Sequence, residues 1–350
     1  MRKIKLPSII LVALIFSAGY SCKSVKSDKE PFVKTIAVKG EPFIHADQLS
    51  DIRAIKIFKN YLFIIRQLRA PQVEVYDLSK KKKVASSFDS RSDILFVGNL
   101  QYDVKKERLY IFDLYESRLF GCDFDTFVSN GRIEPAMMVN MQENTGLYFS
   151  NLMLVGNTLV GEDEEYAGRF YMFDLNKKKG NYMVSYPDVD MVNEQLTDLQ
   201  NSALYNGKSV PHPTKNKIAS VTGDAGMIDL YEVNQDSIKA YWSYNEFYPK
   251  GIAVERIGNT TRAVYTDESV RGFCDLCVSE KYIYALYSGK SINDDTFLCG
   301  NTVYVLDWEG NRTFKIILDN DINRIAISGD DKTLYGLTQS GDIIKFPTPK

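Results

Sequence analysis

Hydrophobic positions along this chain recur at the spacing of strands. Short runs rich in Tyr, Phe, Val and Ile alternate with polar turns, and the 3.6-residue period of an amphipathic helix is nearly absent. One element repeats: an apolar alternating segment that ends in a large residue followed by an acid. It stands at Val75-Tyr76-Asp77-Leu78, Gly121-Cys122-Asp123-Phe124, Met172-Phe173-Asp174-Leu175, Leu230-Tyr231-Glu232-Val233 and Val305-Leu306-Asp307-Trp308. Polar turns follow four of the five, as at Ser79-Lys80-Lys81-Lys82 and Glu309-Gly310-Asn311, and before each lies a pair of strands with a short connection. The acids are spaced by about 46 to about 75 residues, close to the 40–50 of propeller repeats plus insertions.

This period predicts an all-β fold, a six-bladed β-propeller of four-stranded antiparallel blades. The blades fall near 52–88, 99–140, 150–187, 203–245, 272–318 and 322–347, the last short of one strand. Phe32 to Val38 is an orphan strand at the front. Pairing of this N-terminal strand into the last blade would close the ring and remove an exposed edge. A two-sheet sandwich would need fewer strands and a shorter chain. Two stretches break the repeat, Asp188 to Gln200 as a short surface helix or lid and Phe247 to Gly272 as an insertion, and long loops are where function concentrates.

The first residues read differently. Met1-Arg2-Lys3-Ile4-Lys5 is a positive n-region, Leu6 to Phe16 is an apolar run too short to span a bilayer comfortably, and Ser17 to Ser21 is a small-residue zone ending at Cys22. The expected organisation is a signal peptide over 1–21, a lipid-anchored tether over 22–31 and the propeller over 32–350. Gly19-Tyr20-Ser21-Cys22 resembles a bacterial lipobox, with Gly19 where Leu is usual. That resemblance implies that Cys22 is lipidated, making the membrane one partner and the cell envelope (periplasmic face or outer-membrane surface) the location. Several acyl chains hold far better than one.

Composition narrows the chemistry. Hydrophobic residues make up 44% of the chain, enough to bury a sizeable core. The net charge of −2 becomes about −5 once Arg2, Lys3 and Lys5 leave with the leader, so nucleic acid is not an expected partner. With only His45 and His212, a three-histidine metal site is impossible. Cys122, Cys274, Cys277 and Cys299 remain after the leader, as disulfides or as free thiols. Cys274-Asp275-Leu276-Cys277 lacks the second pair a zinc ribbon needs, and in a strand its two thiols point to opposite faces. No cofactor or metal site is expected.

The C-terminal third carries Tyr282-Ile283-Tyr284-Ala285-Leu286-Tyr287-Ser288-Gly289-Lys290, then Val303-Tyr304-Val305-Leu306-Asp307-Trp308-Glu309-Gly310-Asn311. In these motifs the chain resembles the TolB-like six-bladed propeller lipoproteins of Bacteroides and relatives, most specifically over residues 272–346. The resemblance implies a six-bladed ring on an envelope-anchored lipoprotein. It implies little about activity, since fold analogy does not transfer function.

In a propeller the ends of second strands and the starts of first strands share one face. The residues expected around that mouth are Arg66 and Gln67, Asp113, Glu162 and Asp163, Thr222 and Asp224, Tyr287, Ser288 and Lys290, and Thr338 and Gln339. Gly289 would allow a tight turn that aims Lys290 at an anion. Polar strand ends also arise simply because they meet water.

Other clusters are weaker. Glu162-Asp163-Glu164-Glu165 offers oxygens to a hard cation, but a charge run reads first as a solvated loop. Asp319-Asn320-Asp321 starts like a calcium loop and fails at Arg324, where Gly is required. Asp236-Ser237-Ile238 resembles a Bacteroides O-glycosylation acceptor. No G-x-S-x-G, H-E-x-x-H or phosphate-loop motif exists, and Ser79-Lys80-Lys81-Lys82 matches S-x-x-K only formally.

Three functions are left open. One is a non-catalytic propeller binding a small molecule, glycan or protein at the mouth. Another is an envelope hydrolase or lyase using carboxylates such as Asp113 with Glu162 or Asp163, beside Tyr287 or His212. The third is structural, with the outer blade faces meeting a partner.

Overall fold

The structure, a computed structural model, describes residues 32–349 except 46–50, 68–69, 89–93, 95, 164–167, 188–197 and 258–259. The leader, Cys22 and the tether lie outside the described residues. Two strands open the domain, β1 (Lys34–Val38) and β2 (Glu41–His45). Blade one is β3 (Ile52–Phe58), β4 (Tyr61–Arg66), β5 (Val73–Asp77) and β6 (Lys82–Ser87). Blade two is β7 (Val97–Asp103), β8 (Arg108–Asp113), β9 (Arg118–Asp123) and β10 (Met137–Asn140), with the short helices α1 (Phe124–Asn130) and α2 (Met141–Thr145) at its outer edge. Blade three is β11 (Phe149–Val155), β12 (Thr158–Asp163), β13 (Phe170–Asp174) and β14 (Lys179–Met183). Helix α3 (Asp198–Leu204) leads to blade four, β15 (Gly207–Pro211), β16 (Lys217–Thr222), β17 (Met227–Val233) and β18 (Ile238–Asn245). A separate hairpin follows, β19 (Ile252–Ile257) with β20 (Thr260–Tyr265). Blade five is β21 (Phe273–Val278), β22 (Tyr282–Tyr287), β23 (Gly300–Asp307) and β24 (Arg312–Ile322). Blade six is β25 (Arg324–Ile327), β26 (Thr333–Leu337) and β27 (Asp342–Pro347), completed by β2.

The N-terminal segment therefore closes the ring, and it uses two strands to do so. Phe32 to Val38, expected in the last blade, instead contributes β1 to the outer edge of blade five, parallel to β24. The next strand, β2, pairs antiparallel with β27 as the fourth strand of blade six. The reason lies in β24, whose 11 residues offer an outer edge long enough to seat β1 before the chain turns into the neighbouring blade.

Each four-stranded sheet has two apolar faces and buries them only against its neighbours. The core is accordingly a ring of interblade clusters. Phe63 and Val75 meet Leu109, Phe120 and Phe127 between blades one and two. Phe112 and Leu119 meet Leu152 and Phe173, and Met153 and Phe170 meet Ile218 and Tyr231. Leu230 and Trp242 meet Leu276 and Trp308, and Leu286 and Val303 meet Ile325 and Phe346. The circle ends where Ala326, Tyr335 and Ile343 of blade six pack on Ile55 and Ile64 of blade one.

The repeated acid now has a physical cause. Asp77 Oδ1 accepts the amides of Ser79 and Lys80 at 2.9 and 3.0 Å, and Asp174 does the same for Asn176 and Lys177 at 2.8 and 3.0 Å. Asp307 accepts from Glu309 and Asn311 at 3.0 and 2.8 Å. In these three blades the acid caps the turn between third and fourth strands, which pulls the Asp77 and Asp174 carboxyls below their usual range, while Asp123 caps helix α1.

Candidate functional site

Inner strands line the channel, and four of the six carry the same irregularity. The pairing of first with second strand slips by one residue between Ile52 and Ala54, Val97 and Asn99, Phe149 and Asn151, and Phe273 and Asp275. The extra residues are Arg53, Gly98, Ser150 and Cys274, and all four line one cavity at the mouth. A bulge breaks the two-residue alternation of a strand and re-aims a side chain. Here it turns a residue that regular pairing would point elsewhere into the wall of the channel.

The cavity holds about 690 Å3, within the range of small-ligand sites. Besides the bulge residues, Lys56, Asn99, Asn151, Lys208, Ser209, Asp275 and Arg324 reach it from the inner strands. Glu162, Ser220 and Asp224 come from second strands and their ends, with Arg169 beside them. Tyr186, Tyr205 and Tyr265 reach it from the insertions, and the Tyr186 and Tyr205 rings stack with centroids 5.9 Å apart.

A polar chain runs from this wall into blades three and four. Glu162 accepts from Ser209 Oγ at 2.5 Å and Asn151 Nδ2 at 3.0 Å, and burial raises its carboxyl above the ordinary range. Ser209 donates to Ser220 at 2.9 Å, and Arg169 donates to Ser220 at 2.8 Å and to the buried Asp229 at 2.7 Å. Asp229 also accepts from Ser243 at 2.6 Å. Nearby, Arg271 and the Tyr265 hydroxyl donate to Asp224 at 2.9 and 3.0 Å, and Lys208 forms an ion pair with Asp275. Asp275 also accepts the Ile325 amide at 2.7 Å.

The opposite wall differs. Arg53, Lys56 and Arg324 have no carboxylate partner among the described residues. Arg324 Nε donates to the Arg53 carbonyl at 2.6 Å, and the Arg53 guanidinium lies over the Phe96 ring at 5.2 Å. Desolvation inside the channel, with the Lys208 charge adding to it, brings the Lys56 ammonium down to about 7.

A family model described as TolB-like 6-blade propeller-like matches residues 76–330. The chain belongs to this TolB-like family. No curated protein matches the chain. Among solved structures, the TolB-like chain is similar to a member of the DUF4221 family from Bacteroides vulgatus, at 10% identity and a TM-score of 0.53, over 89% of this chain and 95% of that one. It also aligns with the β-propeller domain of Cps50 (Swd1) from Myceliophteria thermophila, at 9% identity and a TM-score of 0.47, over 89% of this chain and 100% of that one.

Of the residues expected at the mouth of the TolB-like ring, Glu162 and Asp224 line the cavity. Asp163 ends β12 opposite Phe149, and its side chain lies outside the described residues. The others are engaged within their own blades. Arg66 bridges Asp51 and Glu74 at 3.1 and 2.9 Å. Asp113 is fully buried and holds Arg118 at 2.9 Å and the Tyr115 amide at 3.2 Å, so it forms no acid/base pair with Glu162. Tyr287 stacks on Tyr304 at 5.0 Å. Ser288 donates to the Phe297 carbonyl at 3.0 Å. Lys290 turns back on Thr296 at 2.6 Å and Asp321 at 2.8 Å instead of facing an anion. Thr338 caps the turn before Asp342, and the buried Thr222 does not line the cavity. His212 is also elsewhere: it packs on Trp308 at 4.6 Å, and its Nδ1 accepts the amides of Thr214 and Lys215 at 3.0 Å. The physical reason is distance from the axis. A second strand lies about 4.8 Å further out than a first strand, so its end reaches the channel only where the inner strand leaves room.

The cavity residues that sequence reasoning passed over are Arg53, Lys56, Asn99, Asn151, Arg169, Lys208, Arg271, Asp275 and Arg324. Several carried a signal, a basic residue set inside an apolar strand, as in Ile52-Arg53-Ala54-Ile55-Lys56-Ile57 and Arg324-Ile325-Ala326-Ile327.

Proposed function

We propose that this TolB-like propeller is a non-catalytic binding protein that takes a small ligand into the axial cavity. The observation that carries this reading is a cavity of about 690 Å3 whose wall repeats one backbone device, the inner-strand bulge, in four blades. The carboxylates argue against the alternative, an envelope hydrolase or lyase. Asp224 and Asp275 are committed to ion pairs within the wall, with Arg271 and Lys208, and Glu162 accepts from Ser209 and Asn151, so the carboxylates serve the wall's own network. Tyr287 and His212, the other groups that reading needs, stand outside the cavity. The leader and the lipobox-like segment support attachment to the cell envelope through a lipidated Cys22, which would hold the cavity at a membrane surface.

The test is a thermal-shift and calorimetric screen of small anionic and neutral compounds on the purified protein, repeated on Ser150→Trp. Ser150 is exposed and lines the cavity, so an indole there blocks the space without disturbing the core. Saturable binding that Ser150→Trp abolishes is expected. Turnover of esters, glycans or peptides that the same variant abolishes would refute the reading.

A further inference from the structure

We infer that the ligand is a compact oxyanion carrying two or more negative charges, a phosphate monoester or a polycarboxylate, seated against Arg53, Lys56 and Arg324. This rests on the cavity being the ligand site. The argument begins with charge. Six basic residues line the cavity, Arg53, Lys56, Arg169, Lys208, Arg271 and Arg324, on a chain whose net charge is −2. Arg169, Lys208 and Arg271 are each neutralised by an aspartate, Asp229, Asp275 and Asp224 respectively. Arg53, Lys56 and Arg324 are not, among the described residues.

Placement makes this a built feature. Arg53 and Lys56 come from the first strand of blade one and Arg324 from the first strand of blade six. The bulge is what sets Arg53 on the channel side together with Ala54 and Lys56. The Arg324–Arg53 hydrogen bond runs to a backbone carbonyl, so it fixes the Arg324 guanidinium against the first strand of blade one without neutralising it. Like charges gathered in a partly enclosed space repel: burial first, and then the nearby Arg324 charge, pull Arg53 down from its ordinary value. An oxyanion would turn the repulsion into attraction, and guanidinium groups meet phosphate or carboxylate oxygens in a matched fork.

Arg53 and Arg324 bring two charges, and Lys56, held low by burial, would gain its proton beside an anion, so a ligand with two or more negative charges matches this wall better than a monoanion. The rest of the wall sets the remainder of the ligand. Asn99, Ser150 and Asn151 offer amides and a hydroxyl, and Tyr186, Tyr205 and Tyr265 line the rim. That surface suits a hydroxylated body attached to the charged group.

The experiment is calorimetry on the purified protein at fixed ionic strength with inorganic phosphate, glucose 6-phosphate, citrate and glucose. Binding of glucose 6-phosphate or citrate is expected, with the stronger of the two naming the source of the charge, and glucose should not bind. Arg53→Gln, Arg324→Gln and Lys56→Met should each weaken binding about ten-fold or more, the loss of a charged hydrogen bond. Without ligand, Lys56→Met should melt no lower than the parent, since it removes a desolvated repelling charge that makes no hydrogen bond among the described residues. Three results would overturn the inference: failure of every anion to bind, a Ser150→Trp-sensitive ligand that is neutral and indifferent to Arg53→Gln, or a Lys56→Met variant that melts markedly lower. The second leaves the cavity as a binding site and removes only the anion. Absence of any Ser150→Trp-sensitive ligand removes both.

Discussion

Arg169→Met tests how the site is held. Arg169 and Asp229 are both buried, with side chains 6% and 7% exposed, and their atoms meet at 2.7 Å. Arg169 also donates to Ser220 at 2.8 Å, and its guanidinium lies over the Tyr231 ring at 5.5 Å. Replacing it with methionine keeps most of the volume and removes two hydrogen bonds of a charged donor. At about 1.5–3 kcal/mol each these sum to about 3–6 kcal/mol. Leaving a buried carboxylate unpaired gives about 3–5 kcal/mol by a separate route, so a loss near 4 kcal/mol is the expectation. Urea unfolding followed by tryptophan fluorescence measures it directly, because Trp242 and Trp308 are buried between blades four and five and Asp229 sits on blade four. Adding Asp229→Asn to Arg169→Met should recover much of the loss by removing the stranded charge. The surface pair Lys177–Asp236 is the control, with side chains 49% and 77% exposed; Lys177→Met should change stability far less, because an exposed pair is screened by solvent. If Arg169→Met costs no more than that control, the polar chain behind the cavity is not what fixes its wall.

Other outcomes follow from the same contacts. Burial first, and then nearby lysines, lower His212 to about 4; the unfolded chain takes up a proton near 6.5 and the folded one does not. Stability should therefore fall as pH drops from about 6.5 to about 4, and His212→Asn should flatten that part of the denaturation profile. Deleting the chain through His45 removes the fourth strand of blade six and exposes Tyr335, against which Phe43 packs at 5.1 Å. Size-exclusion chromatography should then find aggregates, and a well-behaved monomer would mean that the ring does not need β2. Cys122, Cys274, Cys277 and Cys299 are unpaired thiols, with Cys122 pushed up to about 12 and Cys274 to about 11, both mainly by burial. A thiol reagent at pH 8 should label the native protein slowly and all four positions on unfolding; a disulfide in peptide maps would contradict the fold around them.

The apolar alternation and the acid at five of the six third-strand ends settled the architecture without any structure, because both are local. A strand that must bury two faces reads as an apolar run, and an aspartate that caps a two-strand turn has to sit at the turn. Blade limits of 52–88 and 203–245 against strands ending at Ser87 and Asn245 follow from that locality. The cavity was not legible in the same way. Arg66, Asp113 and Lys290 looked like mouth residues because they are polar at strand ends, yet each finds its partner inside its own blade or in the adjoining loops. Arg53 and Lys56 looked like interruptions in a core strand. Which polar group faces the axis depends on a one-residue slip in pairing and on distance from the centre of the ring. The slip is set by strand pairing within a blade and the distance only when all six blades close into a ring, so tertiary structure alone decided them.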